Sequence, residues 1–308
     1  AQIKANYDDF RARNRMQQAA FGADYPRRMD SALDATPEER ERRFEEYWTY
    51  GGFMFLAAFG DISLNPAANE HAAEFVRRKI RRIVRDPETA ELLGPDTLIG
   101  CKRLVADSGY FQTYNRDNVR LVDVSERPIE KLTAQGIVVD SREYAFDAIV
   151  FATGFDAMTG ALLNIEMSGI NGLTLRDKWA AGPRTYLGLM TSDFPNLFTM
   201  TGPGSPSVLA NMITGVEHHA EYIMGMIQWA DRQALKYVVP AREAEDGWVN
   251  VVNMRAEQTL FPRCNSWYLG ANVPGKPRVF MPYVGFPAYV ERLAEIRDAN
   301  YEGFEAGA

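Results

Sequence analysis

The sequence predicts an α/β chain, and three observations carry that prediction: helical periodicity through about the first 95 residues, short apolar runs bounded by turn residues from 98 onward, and a Gly/Pro turn at 201–206 opening a long helical stretch. With 308 residues, 46% hydrophobic and 24% charged, the chain has enough apolar material for a globular core, as one large domain or two to three lobes.

From residue 3 to about 16, and again from 36 to 59, charged and apolar residues alternate with the helical period. Thr36-Pro37-Glu38-Glu39 gives the second helix its start: a capping hydroxyl, a proline at the first helical position and the Glu of a capping box. Gly51-Gly52 marks a break. A third helix is expected from about 69 to 84, and Asp86-Pro87-Glu88 starts a short fourth. Arg77, Arg78, Lys79, Arg81 and Arg82 alternate with Val76, Ile80 and Ile83, so they read as the wet face of an amphipathic helix rather than a phosphate-binding stripe.

Beyond Gly94-Pro95 the runs 98–106, 119–124, 129–133, 137–140 and 145–152 read as strands. The last of these, polar at Asp147 and continuously apolar from Ala148 to Ala152, has the composition of a strand buried on both faces, leading into the turn Thr153-Gly154-Phe155-Asp156. Short segments separated by glycines follow to Met200. A long helix is expected from near Ser207 to about Trp229, with others at 243–259 and 287–299.

Several function classes are disfavoured. With 34 basic against 41 acidic residues, net charge −7, and no sustained basic run outside 77–85, a general nucleic-acid binder is not expected. Cys101 and Cys264 stand far apart with no CxxC or Cys/His cluster, so neither a structural zinc site nor a disulfide scaffold is indicated, and a reducing, cytoplasmic setting fits. His71, His218 and His219 do not make a metal triad or a Ser-His-Asp arrangement; His218 and His219, adjacent on a helix, cannot share a face. Apolar stretches such as 53–59 are too short to cross a bilayer, and residues 1–4 show no signal-peptide pattern. The chain starts without Met in what reads as a helix, which leads us to expect that the natural sequence begins further upstream.

Neither a G-x-x-x-x-G-K-[ST] loop nor a G-x-G-x-x-G fingerprint occurs; the nearest match, Gly202-x-Gly204-x-x-Ser207, has Ser where the third glycine belongs. Three weaker signals remain. Gly202-Pro203-Gly204-Ser205-Pro206 follows a strand and opens a helix, a place where backbone N–H groups can face an anion, although a plain strand-to-helix turn has the same composition. Lys102-Arg103 follows Gly100 at the start of an expected strand, where such a pair is ordinarily solvated. The stretch 265–277 is polar and glycine-rich with Trp267 and Tyr268 inside it, as site-lining loops and plain connections both are.

Taken in order, Ala152-Thr153-Gly154-Phe155-Asp156, Trp179-x-x-Gly182-Pro183-x-x-Tyr186-x-Gly188, Phe194-Pro195-Asn196-Leu197-Phe198, Gly202 to Pro206 and Ser266-Trp267-Tyr268-x-Gly270-Ala271-Asn272-Val273-Pro274-Gly275-Lys276 resemble the Baeyer–Villiger monooxygenases, above all those acting on phenylacetone and steroid ketones. The resemblance covers essentially the whole chain. It implies a two-dinucleotide-binding-domain flavoprotein fragment: residues 1–97 as a helical lobe inserted in the NADP domain, 98–151 as the second half of that domain, and 152–308 as the C-terminal half of the FAD domain. The family's glycine loops, its F-x-G-x-x-x-H-x-x-x-W-P fingerprint and an active-site Asp belong to an N-terminal region that this chain does not contain, so the isolated chain is expected to be inactive.

The resemblance also assigns roles. Cofactors would be FAD and NADP(H), with a ketone and O2 as substrates, one oxygen atom being inserted beside the carbonyl to give an ester or lactone; no metal, nucleic acid or membrane is implied. Lys102 matches a lysine on the 2′-phosphate of NADP, and Arg103 the catalytic arginine, whose fixed guanidinium can stabilise developing negative charge. Trp267 matches a tryptophan that hydrogen-bonds the bound cofactor from a loop that excludes water. Gly202, Pro203, Gly204 and Ser205 match a segment near the flavin, Thr153 and Gly154 the turn between the nucleotide domains, and Ser207, Val208, Leu209 and Met212 the pocket for a bulky, apolar ketone. Rival readings are an N- or S-oxidising flavin monooxygenase and a non-catalytic remnant. An exposed flavin-domain face is expected to drive self-association.

Overall fold

A computed structural model describes residues 2–17 and 28–308, so residues 18–27 of the expected helical lobe lie outside the described part. Eleven α-helices are described: α1 Gln2–Ala5, α2 Tyr7–Arg15, α3 Pro37–Tyr50, α4 Pro66–Ile83, α5 Pro87–Leu93, α6 Tyr110–Thr113, α7 Gly160–Leu163, α8 Leu175–Lys178, α9 Met212–Arg232, α10 Arg242–Glu257 and α11 Phe286–Asp298. The described strands are β1 Ile129–Leu132, β2 Gly136–Val139, β3 Arg142–Ala145, β4 Tyr237–Pro240 and β5 Phe304–Gly307. The chain divides into two compact units, residues 27–155 and residues 1–26 with 156–308.

In the unit of residues 27–155, Thr36 caps α3 as expected, its hydroxyl accepting the Glu39 N–H at 3.2 Å with Pro37 at the first helical position. The Glu39 carboxylate turns instead to Arg43, at 2.9 Å, so only half of the capping box forms. The apolar stripes of α3 and α4 close on Phe44, Phe55, Phe59 and Phe75, whose ring centroids lie 5.3 to 5.7 Å apart around Phe44 and Phe55. Burying a side chain of this size is worth about 1.5–3 kcal/mol, so the cluster anchors the lobe. Four of the five basic residues of this face of α4 pair with acids: Arg77 with Glu70 and Glu74, Arg78 with Glu41, Lys79 with Glu45, and Arg81 with Glu74 and Glu91.

Strands β1, β2 and β3 form an antiparallel meander in that order, with an irregularity between Ile129 and Lys131. Two of the five expected strands therefore appear, at 129–132 and 136–139. The other three are corrected. Segments 98–106 and 119–124 are irregular, and of 145–152 only Ala145 belongs to a strand, β3. The run expected to be buried on both faces leaves Val150 88% and Phe151 65% exposed. An apolar run specifies a wish for burial, whereas a strand needs a ladder partner, and none among the described residues pairs with this one.

In the other unit the helices expected at 243–259 and 287–299 appear as α10 and α11. Helix α9 begins at Met212, five residues later than expected. Ser207 to Leu209 form a 3-10 turn with Ser207 at φ 44°, and Asn211 is the cap, its side-chain oxygen accepting the N–H groups of Ile213 and Thr214 at 3.0 and 3.3 Å. One face of α9 packs inward through Gly215, His219, Tyr222, Ile223 and Met226. A second face receives α2, where Arg11 pairs with Glu217 and Glu221, Arg15 with Glu221, and Asn14 donates to Thr214 at 3.1 Å. A third carries Ile213, Val216, Met224 and Ile227, all exposed. Strands β4 and β5 pair antiparallel, fixing the chain end beside the start of α10.

Candidate active site

The expected site residues fall in both units. Lys102, Arg103, Thr153 and Gly154 belong to residues 27–155, and the others to residues 156–308.

The segment ahead of Lys102 is held by a residue that its sequence did not single out. Asn69, on α4 and buried, accepts the Ile99 N–H at 2.9 Å and donates to the carbonyls of Ile99 and Ile62 at 2.9 and 2.8 Å. Gly100 then turns with φ +92°, a conformation that side chains resist, while Leu56 carbons stand 3.3 Å from where its Cβ would lie. Cys101 is buried beyond it, Lys102 is exposed, and Arg103 is half-buried with its guanidinium 5.1 Å from the Phe53 ring centroid. The Lys102 ammonium makes no ion pair among the described residues. Thr153 and Gly154 are exposed, with Gly154 at φ +87° and open space around it.

The turn 201–206 is closed by its neighbours. Gly204 N–H donates to the Met281 carbonyl at 2.6 Å and Ser205 N–H to the Gly202 carbonyl at 3.1 Å. The Pro203 carbonyl accepts the Thr185 hydroxyl at 2.6 Å, the Gly204 carbonyl accepts Trp248 Nε1–H at 2.9 Å, and the Ser205 carbonyl accepts Tyr283 N–H at 2.6 Å. The expectation that backbone N–H groups here, with the helix end behind them, face an anion is therefore corrected: the Gly204 and Ser205 donors are used internally, and Asn211 already satisfies the first amides of α9. From Gly202 to Pro206 the turn is buried and close-packed.

Behind the turn stands His219. The Thr201 N–H donates to its Nδ1 at 2.8 Å, which places the ring proton on Nε2, 2.8 Å from the Tyr289 hydroxyl; that hydroxyl donates to the Leu187 carbonyl at 2.6 Å. Burial, with the neighbouring His218 adding to it, pushes the His219 pKa down to about 3, so the ring stays neutral and keeps accepting. Burial likewise lowers His218 to about 4. The two histidines are ordinary helix residues in the sense expected of them, with His219 additionally bracing the turn.

The stretch 265–277 joins the same construction. Ser266 caps a 3-10 turn at Trp267–Leu269, accepting the Tyr268 N–H at 3.2 Å, and Trp267 lies against Tyr268 with centroids 4.4 Å apart. The Tyr268 carbonyl accepts Met281 N–H at 3.0 Å, so Met281 bridges the Trp267 turn to Gly204. Lys276 closes the loop onto Asp156 and onto the Ala157 carbonyl at 2.8 Å. Trp267 is half-buried, and its indole N–H makes no hydrogen bond among the described residues. Ser207 is buried, its hydroxyl 3.6 Å from the Met158 sulfur; Val208 and Leu209 are half-buried and Met212 is exposed. Structure thus brings Gly202 to Ser205, Ser207 and the Trp267 turn into one hydrogen-bonded body. Asn69, His219, Met281 and Tyr283 were missed, and a buried-polar or hydrogen-bonding role at such distances in sequence leaves no local signal.

Among the described residues no group of acids, histidines and cysteines could hold a metal ion, and no helix is long and apolar enough to cross a membrane.

No family model matches the chain. It is 40% identical over 98% of its length to a Baeyer–Villiger monooxygenase of Pseudooceanicola batsensis, covering 55% of that protein. It is 41% identical over 89% of its length to the phenazine N-monooxygenase PhzNO1 of Lysobacter antibioticus, covering 51% of it. Among solved structures, an oxidised steroid monooxygenase bound to NADP superposes with a TM-score of 0.91 at 46% identity, over 99% of this chain and 57% of that one. The OTEMO complex with FAD and NADP gives a TM-score of 0.92 at 35% identity, over 99% and 57%. The chain spans about half the length of the relatives it matches.

Proposed function

We propose, from the premise that the chain is a relative of the Baeyer–Villiger monooxygenases over nearly its whole length and about half of theirs, that it supplies the catalytic arginine, the NADPH phosphate contact and the ketone pocket of an FAD- and NADPH-dependent monooxygenase. In this reading residues 1–97 are the helical lobe, 98–151 the second half of the NADP domain and 152–308 the C-terminal half of the FAD domain. The reading is carried by its likeness to a steroid monooxygenase that binds NADP, joined to two unspent donors: the exposed Lys102 ammonium and the Trp267 indole N–H.

Lys102 fits the 2′-phosphate of NADPH, because an ammonium with no acid partner keeps its charge for a ligand. Trp267 donates its indole N–H to the bound dinucleotide. Gly202, Pro203, Gly204 and Ser205 would lie near the flavin, with Gly204 and Ser205 acting by packing since their amides are taken, and Thr153 and Gly154 would form the cofactor-binding turn that connects the nucleotide domains. When bound, FAD supplies the activation of O2. Arg103 then holds a permanent positive charge where negative charge gathers on the ketone oxygen, and contributes without giving up a proton. Ser207, Val208, Leu209 and Met212 shape a pocket for bulky aryl or steroid-like ketones.

A second reading, N-oxidation of an aromatic heterocycle, is favoured by the likeness to a phenazine N-monooxygenase. The two separate in one assay on the naturally encoded protein: NADPH oxidation driven by an aryl ketone with ester as product supports the first, while N-oxide from a phenazine with no ester from any ketone supports the second. Lacking both G-x-G-x-x-G loops, the 308 residues alone do not turn over in this reading. The exposed stripe of Ile213, Val216, Met224 and Ile227 on α9 leads the isolated chain to self-associate. A cytoplasmic setting completes the proposal.

A further inference from the structure

The residues assigned above to the flavin side and to the ketone pocket, Gly202 to Ser205, Ser207 to Leu209 and Met212, share one stretch of chain, 201–212. Its two ends are tied together by one buried ring. Thr201, at the start, donates its N–H to His219 Nδ1 at 2.8 Å, and His219 belongs to α9, the helix that begins at Met212 at the other end. Gly215, one turn before His219, makes room for the Thr201 side chain: a Cβ on Gly215 would stand 3.2 Å from the Thr201 methyl carbon.

The orientation of the ring is set from α11. The Tyr289 hydroxyl gives its proton to the Leu187 carbonyl at 2.6 Å, so it has only lone pairs to offer His219, and the 2.8 Å contact between them is Nε2–H donating to the Tyr289 oxygen. Nδ1 is thereby left without a proton and able to accept from Thr201. Burial keeps the ring neutral, which preserves the arrangement. Without the Tyr289 hydroxyl, Nε2–H is buried with no acceptor, and a proton moved to Nδ1 would face the Thr201 N–H donor to donor.

Backbone strain is the independent observation. Thr201, at φ 50°, and Ser207, at φ 44°, both lie in the left-handed region, where a β-branched residue such as Thr201 is an outlier. Such conformations persist only where their neighbours over-determine them, and they gather at functional sites. At Thr201 those neighbours are His219 and Gly215. Leu187, whose carbonyl ends the chain of hydrogen bonds, is left-handed too, at φ 60°. Next to it Gly188 meets the same stretch a second time, since a Cβ there would stand 2.5 Å from Ser205 Cβ. Thr201, His219, Tyr289 and Leu187 therefore close a ring of contacts around the segment that carries the assigned pocket.

We propose that Tyr289 and His219 are positioning residues for the ketone: acting through Thr201, they hold 201–212 in the strained shape that sets the pocket of Ser207, Val208, Leu209 and Met212, an inference that rests on the monooxygenase reading above. Steady-state kinetics and product analysis of the naturally encoded, FAD-loaded protein with NADPH and a bulky aryl ketone test it. Tyr289→Phe keeps the ring against His219 and Tyr283 and removes only the hydroxyl. It is expected to raise KM for the ketone about fivefold or more, the worth of a buried hydrogen bond, and to lower the ester formed per NADPH consumed. KM for NADPH and the rate of flavin reduction should match those of the wild type. His219→Asn retains an acceptor near the Nδ1 position and should raise the ketone KM less than His219→Leu, which retains none. Tyr186→Phe also removes a buried hydroxyl from a backbone carbonyl, that of Glu302, and should leave the ketone KM unchanged, which separates loss of this positioning from loss of stability. If the wild type makes ester, an unchanged ketone KM in both Tyr289→Phe and His219→Leu, or an equal rise in Tyr186→Phe, overturns the inference and leaves the monooxygenase reading standing. A flavin-loaded wild type that makes no ester from any ketone overturns both.

Discussion

Asn69 holds the backbone of Ile99 from both sides, accepting its N–H and donating to its carbonyl, each at 2.9 Å. The pair sits three residues ahead of Lys102 and four ahead of Arg103, so a side chain on α4 sets where those charges emerge. Asn69→Ala leaves buried backbone groups unsatisfied and is expected to cost about 2–4 kcal/mol. Urea unfolding measures it, and Asn69→Asp, which keeps the acceptor and loses the donor, should fail to restore stability.

Stability should fall as the solution becomes acidic from about pH 6.5, through the two histidines. The folded pKa values of His219 and His218, about 3 and about 4, lie below the ordinary 6.5 because burial opposes charge. Between those values and 6.5 the unfolded chain binds more protons than the folded one. The stabilisation is therefore complete above 6.5 and lost progressively as pH drops toward the folded values, with a slope up to about 1.4 kcal/mol per pH unit for each ring. Glu221, lowered to about 2 mainly by its hydrogen bond from Arg15, acts in a separate window below 4.5. Unfolding free energies at pH 7.5, 6 and 5 check this, and His219→Gln should flatten the profile.

Arg103→Ala, made in the naturally encoded protein, should lower ketone oxygenation by roughly 100-fold or more while NADPH still reduces the flavin. Arg103→Lys should not rescue it, because a compact ammonium lacks the planar fork. Stopped-flow absorbance separates the reductive and oxidative halves.

Trp267→Phe keeps the ring against Tyr268 and removes only the indole N–H. NADP+ affinity should drop by about tenfold, the worth of one hydrogen bond, with unchanged melting. An equal loss of stability and affinity would make Trp267 a packing residue.

Ile213→Glu with Met224→Lys should convert the 308-residue chain toward monomer without lowering its Tm, since both side chains are more than half exposed. Light scattering after size exclusion reads the mass.

Local chemistry was legible in the sequence and long-range pairing was not. Thr36-Pro37 marked α3 because a cap and a first-turn proline act within four residues. The same reasoning placed the start of α9 at Ser207, although Ser207 takes a left-handed turn and Asn211 provides the cap. Strand character at 145–152 was read from hydrophobicity alone, and hydrophobicity does not name a ladder partner. Asn69 and His219 act on residues 30 and 18 positions away, where spacing carries no signal. The ordered motifs from Ala152 to Lys276 did mark the family resemblance, while the separate reading of the 202–206 turn as a set of backbone donors open to an anion did not hold, since the Gly204 and Ser205 N–H groups are spent inside the fold.

The central claim is tested most directly by supplying the naturally encoded protein with NADPH, a bulky aryl ketone and ¹⁸O2, then analysing the product by mass spectrometry. An ester or lactone carrying one ¹⁸O atom, lost in Arg103→Ala, is the predicted result. Unchanged ketone from a flavin-loaded protein that oxidises NADPH and converts a phenazine to its N-oxide would contradict it.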